Sequence, residues 1–310
     1  MTKRKEKNIA KFIRLCYLTG ALMAYNTSAF AVMSNDVLPQ NGNFTYGMGQ
    51  INNLPNNVMN IEQSTNNAVI KWDAFSIGSA ATVNFKGSDG FNVLNYVDSG
   101  NMSQIHGTMN AANGNVYLVN TAGTFIGKSA QINVGSLYVS NKKMESQDFE
   151  SFLNDSGTPS VNGIVTNAEL MSLGHINANN VTFEGNRIVL DMDRLSDLNG
   201  DNLVNGTIDI KTNDQEEVIL GYTAYDESYG YSHGNANKEF MITADGQETK
   251  IKGYMWVEDI KQLQAISSNL NGNYALHNGI DATSTKELSF TSIGTETVSY
   301  THLRAHETDS

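Results

Sequence analysis

Cysteine is almost missing from this chain. Cys16 is the single one in 310 residues, and only three prolines occur. One cysteine excludes a disulfide framework and a cysteine-based zinc site. So few prolines exclude a Pro-rich linker protein. Positive charge is scarce as well: 20 basic residues stand against 32 acidic ones, for a formal net charge of −12. That balance argues against nucleic-acid binding, which needs a cationic surface to release counterions from phosphates. Strong helix formers such as lysine, arginine and glutamate are thin, which disfavours a helical bundle. What is abundant is asparagine, serine, threonine and glycine, the last numbering 27, residues that favour turns. A hydrophobic content of 40% suffices for a sizeable core in one large or two ordinary domains. An all-β chain with many tight turns is the expectation.

The N-terminus reads as an export address. Lys3, Arg4, Lys5, Lys7, Lys11 and Arg14 form a basic region, the apolar stretch Leu15 to Ala24 follows, and Ala29-Phe30-Ala31 has the small-x-small pattern of a cleavage site. Cleavage is expected between Ala31 and Val32. The apolar stretch is shorter than the about 20 residues that a permanent membrane anchor needs. Cys16 falls inside this segment with no small residue before it, which speaks against lipidation there. Removing residues 1–31 takes away six bases and one acid, so the formal charge moves from −12 to −17. The mature chain is then acidic and cysteine-free, with no transmembrane anchor and no basic patch for an anionic membrane surface. An exported, soluble protein fits these properties.

Short β-type segments recur along the mature chain, many bounded by Gly or Asn. They include Asn67 to Trp72, Ala81 to Phe85, Asn115 to Val119, Ala130 to Val134, Ser136 to Val139, Asn180 to Phe183, Arg187 to Leu190, Thr207 to Ile210 and Glu217 to Leu220. Several alternate apolar and polar residues with period 2. Between His175 and Leu190 three short strands are separated only by Asn-Asn and Gly-Asn corners, residues that accept left-handed backbone angles at low cost. This spacing predicts the coils of a parallel β-helix, of about 20–25 residues each and roughly ten in number. A two-sheet sandwich is the competing all-β arrangement. Met144 to Thr158 is acidic, with Phe149, Phe152 and Leu153 at helical spacing, and predicts a short helix or an excursion between coils. Tyr222 to Lys238 reads as a loop or extra-helical hairpin. Trp256 to Asn269 predicts a helix with Val257, Ile260, Leu263 and Ile266 on one face.

Three ordered blocks between about residues 68 and 140 carry a family resemblance. They are Ile70 to Trp72 with Phe75 to Gly78 and Val83 to Phe85; Ser103-Gln104-Ile105-His106-Gly107; and Gly114 to Asn120 running into Gly127 to Gly135. In order and spacing they resemble the N-terminal domain of filamentous haemagglutinin and related two-partner secretion exoproteins, over about residues 36–220. The resemblance implies a right-handed parallel β-helix with an N-terminal cap and no cofactor. It implies recognition in the periplasm by a dedicated outer-membrane β-barrel transporter, followed by release to the cell surface or medium. It further implies a large adhesin, haemagglutinin or cytolysin as cargo, whose passenger region meets host receptors or glycans. Carried onto this chain, transporter recognition falls on Asn120, Thr121, Ala122 and Gly123, with Ser103, Gln104 and Gly107. The family's turn at 120–123 is Asn-Pro-Asn-Gly, and here the central pair is Thr-Ala, which still permits a type I turn. A purely structural corner is the alternative for these residues. Residues 254–282 resemble modules that follow this domain in large adhesins. The resulting division is a signal at 1–31, a secretion domain at 32–220 and the start of a passenger at 221–297. Residues 298–310 break the composition and read as foreign sequence.

Chemistry is thinly represented. Asp197, Asn199, Asp201 and Asn205 occupy the first, third, fifth and ninth positions of a calcium loop. The sixth position is Asn202 rather than Gly and the twelfth is Ile208 rather than Glu, so a solvated loop is favoured over a weak calcium site. A β-helical polysaccharide lyase or glycoside hydrolase is the rival from another class, with Asp191, Asp193 and Arg194 as its acid–base set. No diagnostic spacing supports it, and a non-enzymatic role is expected. The histidines at 106, 175, 233, 277, 302 and 306 are scattered, and His302 and His306 lack the glutamate of a metalloprotease helix.

Overall fold

The computed structural model describes residues 33–155, 157–196, 208–212, 217–244 and 247–280. Contacts divide these into two compact units. One holds residues up to 220 together with 239–251, and the other holds 221–238 with the residues from 252 onward.

The first unit is a parallel β-helix. Its first face stacks Val58–Gln63, Thr82–Lys86, the start of Thr108–Asn120, the start of Gln131–Ser140, His175–Asn177 and Leu195–Ser196, each parallel to the next. Its second face stacks Asn67–Trp72, Asn92–Val97, the second halves of the two long strands, Asn180–Glu184 and Ile208–Lys211. The third face runs through Ser103–Ile105, Thr124–Ile126, Glu169–Ser172 and Arg187–Asp191. Period-2 patterning sends alternate residues inward. Met59, Val83, Met109, Ile132, Ile176 and Leu195 form one buried column. Ala68, Val93, Val116, Leu137, Val181 and Ile208 form another. No rung closes a core alone, so each is stable only through its neighbours.

Among the described residues of this unit six strands stack on the first face and seven on the second, where Glu239–Ala244 follows Ile208–Lys211 in parallel, fewer than the roughly ten coils the spacing suggests. The chain spends residues elsewhere. At the N-terminus Asn43–Tyr46 pairs antiparallel with Asn67–Trp72, and Gly49–Leu54 folds back antiparallel on Val58–Gln63. The hairpin turns through Asn56 and Asn57, both at positive φ. These antiparallel segments end the parallel ladder and make the expected cap. Within the fourth rung, between its second and third faces, the chain leaves the coil at Asn141 and returns at Glu169. The excursion carries a two-stranded ribbon, Lys142–Lys143 against Ile164–Val165, and helix α1, Ser146–Asn154. Asp148 opens α1 by accepting from the Glu145 amide at 2.8 Å. Phe149 and Phe152 are buried on the outside of the second face, in a cluster with Val69, Leu94, Tyr96, Tyr117, Val119 and Tyr138.

Asparagine does more than turn corners. On the outer side of the first face Asn84 donates to Asn60 (3.0 Å), Asn110 to Asn84 (2.9 Å), Asn133 to Asn110 (3.1 Å) and Asn177 to Asn133 (2.8 Å). Ser196 ends this ladder on Asn177. A second ladder links Asn115 to Asn92 and Asn92 to Asn67. An amide carries both donor and acceptor, so identical side chains one rung apart satisfy each other. A one-residue slip would break every link and turn the apolar set outward, so the ladders hold register.

In the second unit Tyr254–Val257 lies parallel to Tyr274–Leu276, and to Gly221 and Tyr222. The helix predicted from Trp256 begins later, at Ile260. Trp256 and Val257 belong to the strand, Asp259 caps through Oδ1 to the Gln262 amide (2.7 Å), and helix α2 spans Ile260–Ala265 and continues as a 3-10 turn over Ile266–Ser268. The three-residue spacing of Val257 with Ile260 therefore joins a buried strand residue to a helix with no buried side chain. Residues 223–238 form a loop with one antiparallel bridge, Asp226 to Gly230, anchored by the Tyr231 hydroxyl on the Trp256 carbonyl at 2.6 Å. No helix among the described residues is long and apolar enough to cross a membrane.

Candidate functional site: the corner at residues 120–123

The strand Thr108–Asn120 ends where the second face gives way to the third. Asn120 is fully buried, and its side chain is turned into the coil. Its Nδ2 donates to the Asn101 carbonyl and to Ser103 Oγ, both at 2.9 Å, and its Oδ1 accepts from the Ala122 amide at 2.9 Å. The Gly123 amide closes the turn on the Asn120 carbonyl at 2.9 Å. Gly123 sits at φ +93°, where a Cβ would stand 2.4 Å from the Glu169 carbonyl oxygen of the next rung. Thr121 binds Asp98 Oδ1 through its hydroxyl at 2.7 Å and receives Thr166 Oγ1 on its carbonyl at 2.9 Å. A type I-compatible turn with glycine fourth survives the loss of Pro-Asn, because the buried Asn120 amide organises it.

The structure therefore brings Ser103 together with Asn120, Thr121, Ala122 and Gly123. Ser103 is buried and donates its amide to the Gly123 carbonyl at 3.1 Å. Gln104 and Gly107 lie further on. The Gln104 amide donates to Ser76 Oγ at 3.0 Å. Gly107 forms the next corner, where an added Cβ would meet the Gly78 and Ala81 carbonyl oxygens at 2.1 and 2.4 Å. Gly107→Ala is expected to cost more than about 3 kcal/mol, since backbone must move to admit it. Gly90→Ala, at φ +74° with nothing within 4 Å, is expected to cost only about 1 kcal/mol. Urea midpoints of the two variants measure the difference.

Sequence reasoning missed what stacks on this corner. Asn141, also fully buried, follows the Ser140–Val119 register pair and so lies one rung beyond Asn120. Its Nδ2 donates to the Thr166 and Ala168 carbonyls at 3.2 and 2.6 Å, closing the excursion at its root. The signal was an asparagine ending each of two successive long alternating strands. Beside it, burial pushes the Glu169 carboxyl up to about 7, while Arg187 pulls it down and Glu217 pushes it up.

Other candidate residues have structural partners. Asp191 is buried, accepts the Asp193 amide on Oδ1 at 3.1 Å and lies 3.8 Å from Arg194 Nε, so its carboxylate caps a 3-10 turn. Arg194 also reaches His175 Nε2 at 2.5 Å, and burial, followed by the Arg194 charge, lowers the His175 pKa. His106 lies edge-on to Phe125, His233 against Tyr229, and His277 is stacked on Trp256 while bonded to Glu258 Oε1 at 2.6 Å. No group of three or more His, Cys, Asp or Glu among the described residues is placed to hold a metal. Asp197, Asn199 and Asp201, the cleavage residues Ala29, Ala31 and Val32, His302, His306 and the tail 298–310 lie outside the described residues.

Comparison with known proteins adds the following. A family model for the TPS secretion domain matches residues 35–253. A heme/hemopexin-binding protein of Haemophilus influenzae is 31% identical over 220 residues, covering 69% of this chain and 22% of that protein. A second heme/hemopexin-binding protein of the same species is 36% identical over 119 residues, covering 38% of this chain and 13% of that one. The chain thus spans about a fifth or less of the length of these relatives. The crystal structure of the HMW1 secretion domain from Haemophilus influenzae aligns with a TM-score of 0.43 at 18% identity, over 71% of this chain and 52% of that one.

Proposed function

The chain belongs to the TPS secretion-domain family, and on that premise we propose that it is the leading part of a two-partner secretion exoprotein that carries a filamentous haemagglutinin-type adhesin to the cell surface. A dedicated outer-membrane transporter is its partner, and the chain itself catalyses no reaction. The observation that carries this reading is the family match over residues 35–253, which spans the stacked coil. Folding outside the cell supplies the direction. Each added rung buries inward side chains at about 25 cal/mol per Å², so return through the transporter becomes unfavourable. The burial of Asn120 and Ser103 supports a division in time: the transporter reads the 103–123 segment before folding, and the same residues then make the corner.

Deleting the outer-membrane transporter gene in the producing cell tests the proposal. The chain should vanish from the medium and surface and be degraded in the periplasm; undiminished export would overturn the reading. The names of the two relatives favour a second cargo, an exoprotein that captures haem or its carrier rather than a host surface. Retention of the full-length exoprotein on haemin–agarose, against adherence to epithelial cells, decides between the two cargoes.

A further inference from the structure

Stacked repeats normally couple only to their neighbours, so a β-helix can fray from either end. The excursion at 141–168 breaks that rule. Its helix touches levels far apart in the stack. Phe149 stacks on Tyr46 of the cap at 6.1 Å, lies edge-on to Tyr96 of the second rung at 5.0 Å and carries Lys71 Nζ of the first rung at 4.3 Å. Phe152 meets Tyr117 of the third rung edge-on at 4.9 Å. Asn67 of the first rung donates to the carbonyls of Phe152, Leu153 and Asp155 at 3.2, 3.1 and 2.7 Å, capping the end of α1. The Tyr96 hydroxyl accepts the Met144 amide at 3.2 Å.

The root of the excursion is tied in the opposite direction. Lys142 Nζ lies 2.5 Å from Glu184 Oε1 on the fifth rung and 2.7 Å from the Val161 carbonyl. Thr166 returns to Thr121 on the third rung, and Asn141 holds both ends of the excursion together. The lengths agree. A helix of nine residues is about 14 Å long, and rungs repeat at about 4.8 Å, so one helix covers about three of them.

We infer that the excursion is a clasp, which joins the cap and the first five rungs, residues 43–191, into one cooperative unit. Its helix staples the early rungs across the outside of the second face, and its root locks the fourth rung to the fifth. Early rungs gain their full stability only once the chain through Glu184 is in place. The clasp rests on the fold alone, so the transporter deletion described above can fail without touching it.

Hydrogen exchange on the full chain, read by mass spectrometry, tests the clasp. Peptides covering Thr82–Lys86 and Asn180–Glu184 report the second and fifth rungs. In the native protein their slowest amides are expected to open with constants within about threefold of each other, as for one cooperative unit. In Phe149→Ala, opening of the second rung is expected to rise at least about tenfold over the fifth. If that variant does not fold, Phe149→Leu, which keeps an apolar volume, should show the same asymmetry in smaller measure. Native rungs that already differ more than about tenfold would overturn the clasp. So would a Phe149 variant that speeds both rungs equally.

Discussion

Ile132→Lys is expected to abolish stable folding, and with it appearance of the chain outside the cell. Ile132 is fully buried in the column Met59, Val83, Met109, Ile132, Ile176 and Leu195, with apolar side chains above and below. An ammonium group there loses its hydration and finds no counter-charge within the column. The cost of an uncompensated buried charge is several kcal/mol, on top of about 2–3 kcal/mol of lost apolar burial. The sum is comparable with the whole stability of a domain, about 5–15 kcal/mol. Val116→Asp, in the parallel column of the second face, should behave alike. The adjacent Gln131 is exposed and points the other way, so Gln131→Lys should be within about 0.5 kcal/mol of the native chain. The medium-to-cell ratio of the chain, with urea unfolding of whatever can be purified, reads all three. Equal effects at 131 and 132 would mean that the inward–outward alternation is wrong.

That alternation was legible in the sequence because it is local. Strands such as Thr82–Lys86, Asn180–Glu184 and Ile208–Lys211 declare their inward face within four or five residues. Helix α1 was legible for the same reason, from Phe149, Phe152 and Leu153. The partners of these elements were not. Val116 pairs with Val93 and Leu137 across more than twenty residues, and Asn67 meets Phe152 across 85. Nothing in local periodicity encodes such distances. Asparagine was read through its tolerance of left-handed angles at the corners 179–180 and 185–186, where no residue has a positive φ; among the asparagines those angles fall instead at Asn41, Asn56, Asn57 and Asn237. Its second property, a side chain that donates and accepts at once, matters only when copies stack, and so the ladder from Asn60 to Asn177 went unseen. The corner at 120–123 was found by resemblance, whereas Asn141, its counterpart one rung on, has no motif around it. The helix expected over Trp256 to Asn269 forms only from Ile260 to Ser268, its start misplaced because an apolar spacing of three is shared by a strand end followed by a helical turn.

Breaking the pair at the root of the excursion is the other large effect. Lys142 and Glu184 have side chains only 11% and 16% exposed, and Glu184 also accepts the Tyr138 hydroxyl at 2.5 Å. Burial, and then the Glu184 charge, pushes the Tyr138 hydroxyl well above its ordinary range, so it stays a donor at any working pH. Glu184→Gln leaves the Lys142 ammonium without its counter-charge and should cost about 3–5 kcal/mol. Lys142→Met should cost less, because Tyr138 still donates to the stranded carboxylate. Removing both charges is different in kind. Lys142→Met with Glu184→Leu deletes two desolvated ions at once, and such replacements are often neutral or stabilising by about 1–4 kcal/mol. The double variant should therefore stand well above Glu184→Gln, leaving a coupling of opposite sign to the single losses. Added salt separates this pair from a surface one. Lys86 and Glu62, 57% and 50% exposed at 3.4 Å, should contribute under about 1 kcal/mol and fade with ionic strength. The loss on Glu184→Gln should hold from low to high salt, because a pair so little exposed is weakly screened. A double variant as unstable as the single one, by urea midpoint, would show that packing rather than charge ties the fourth rung to the fifth.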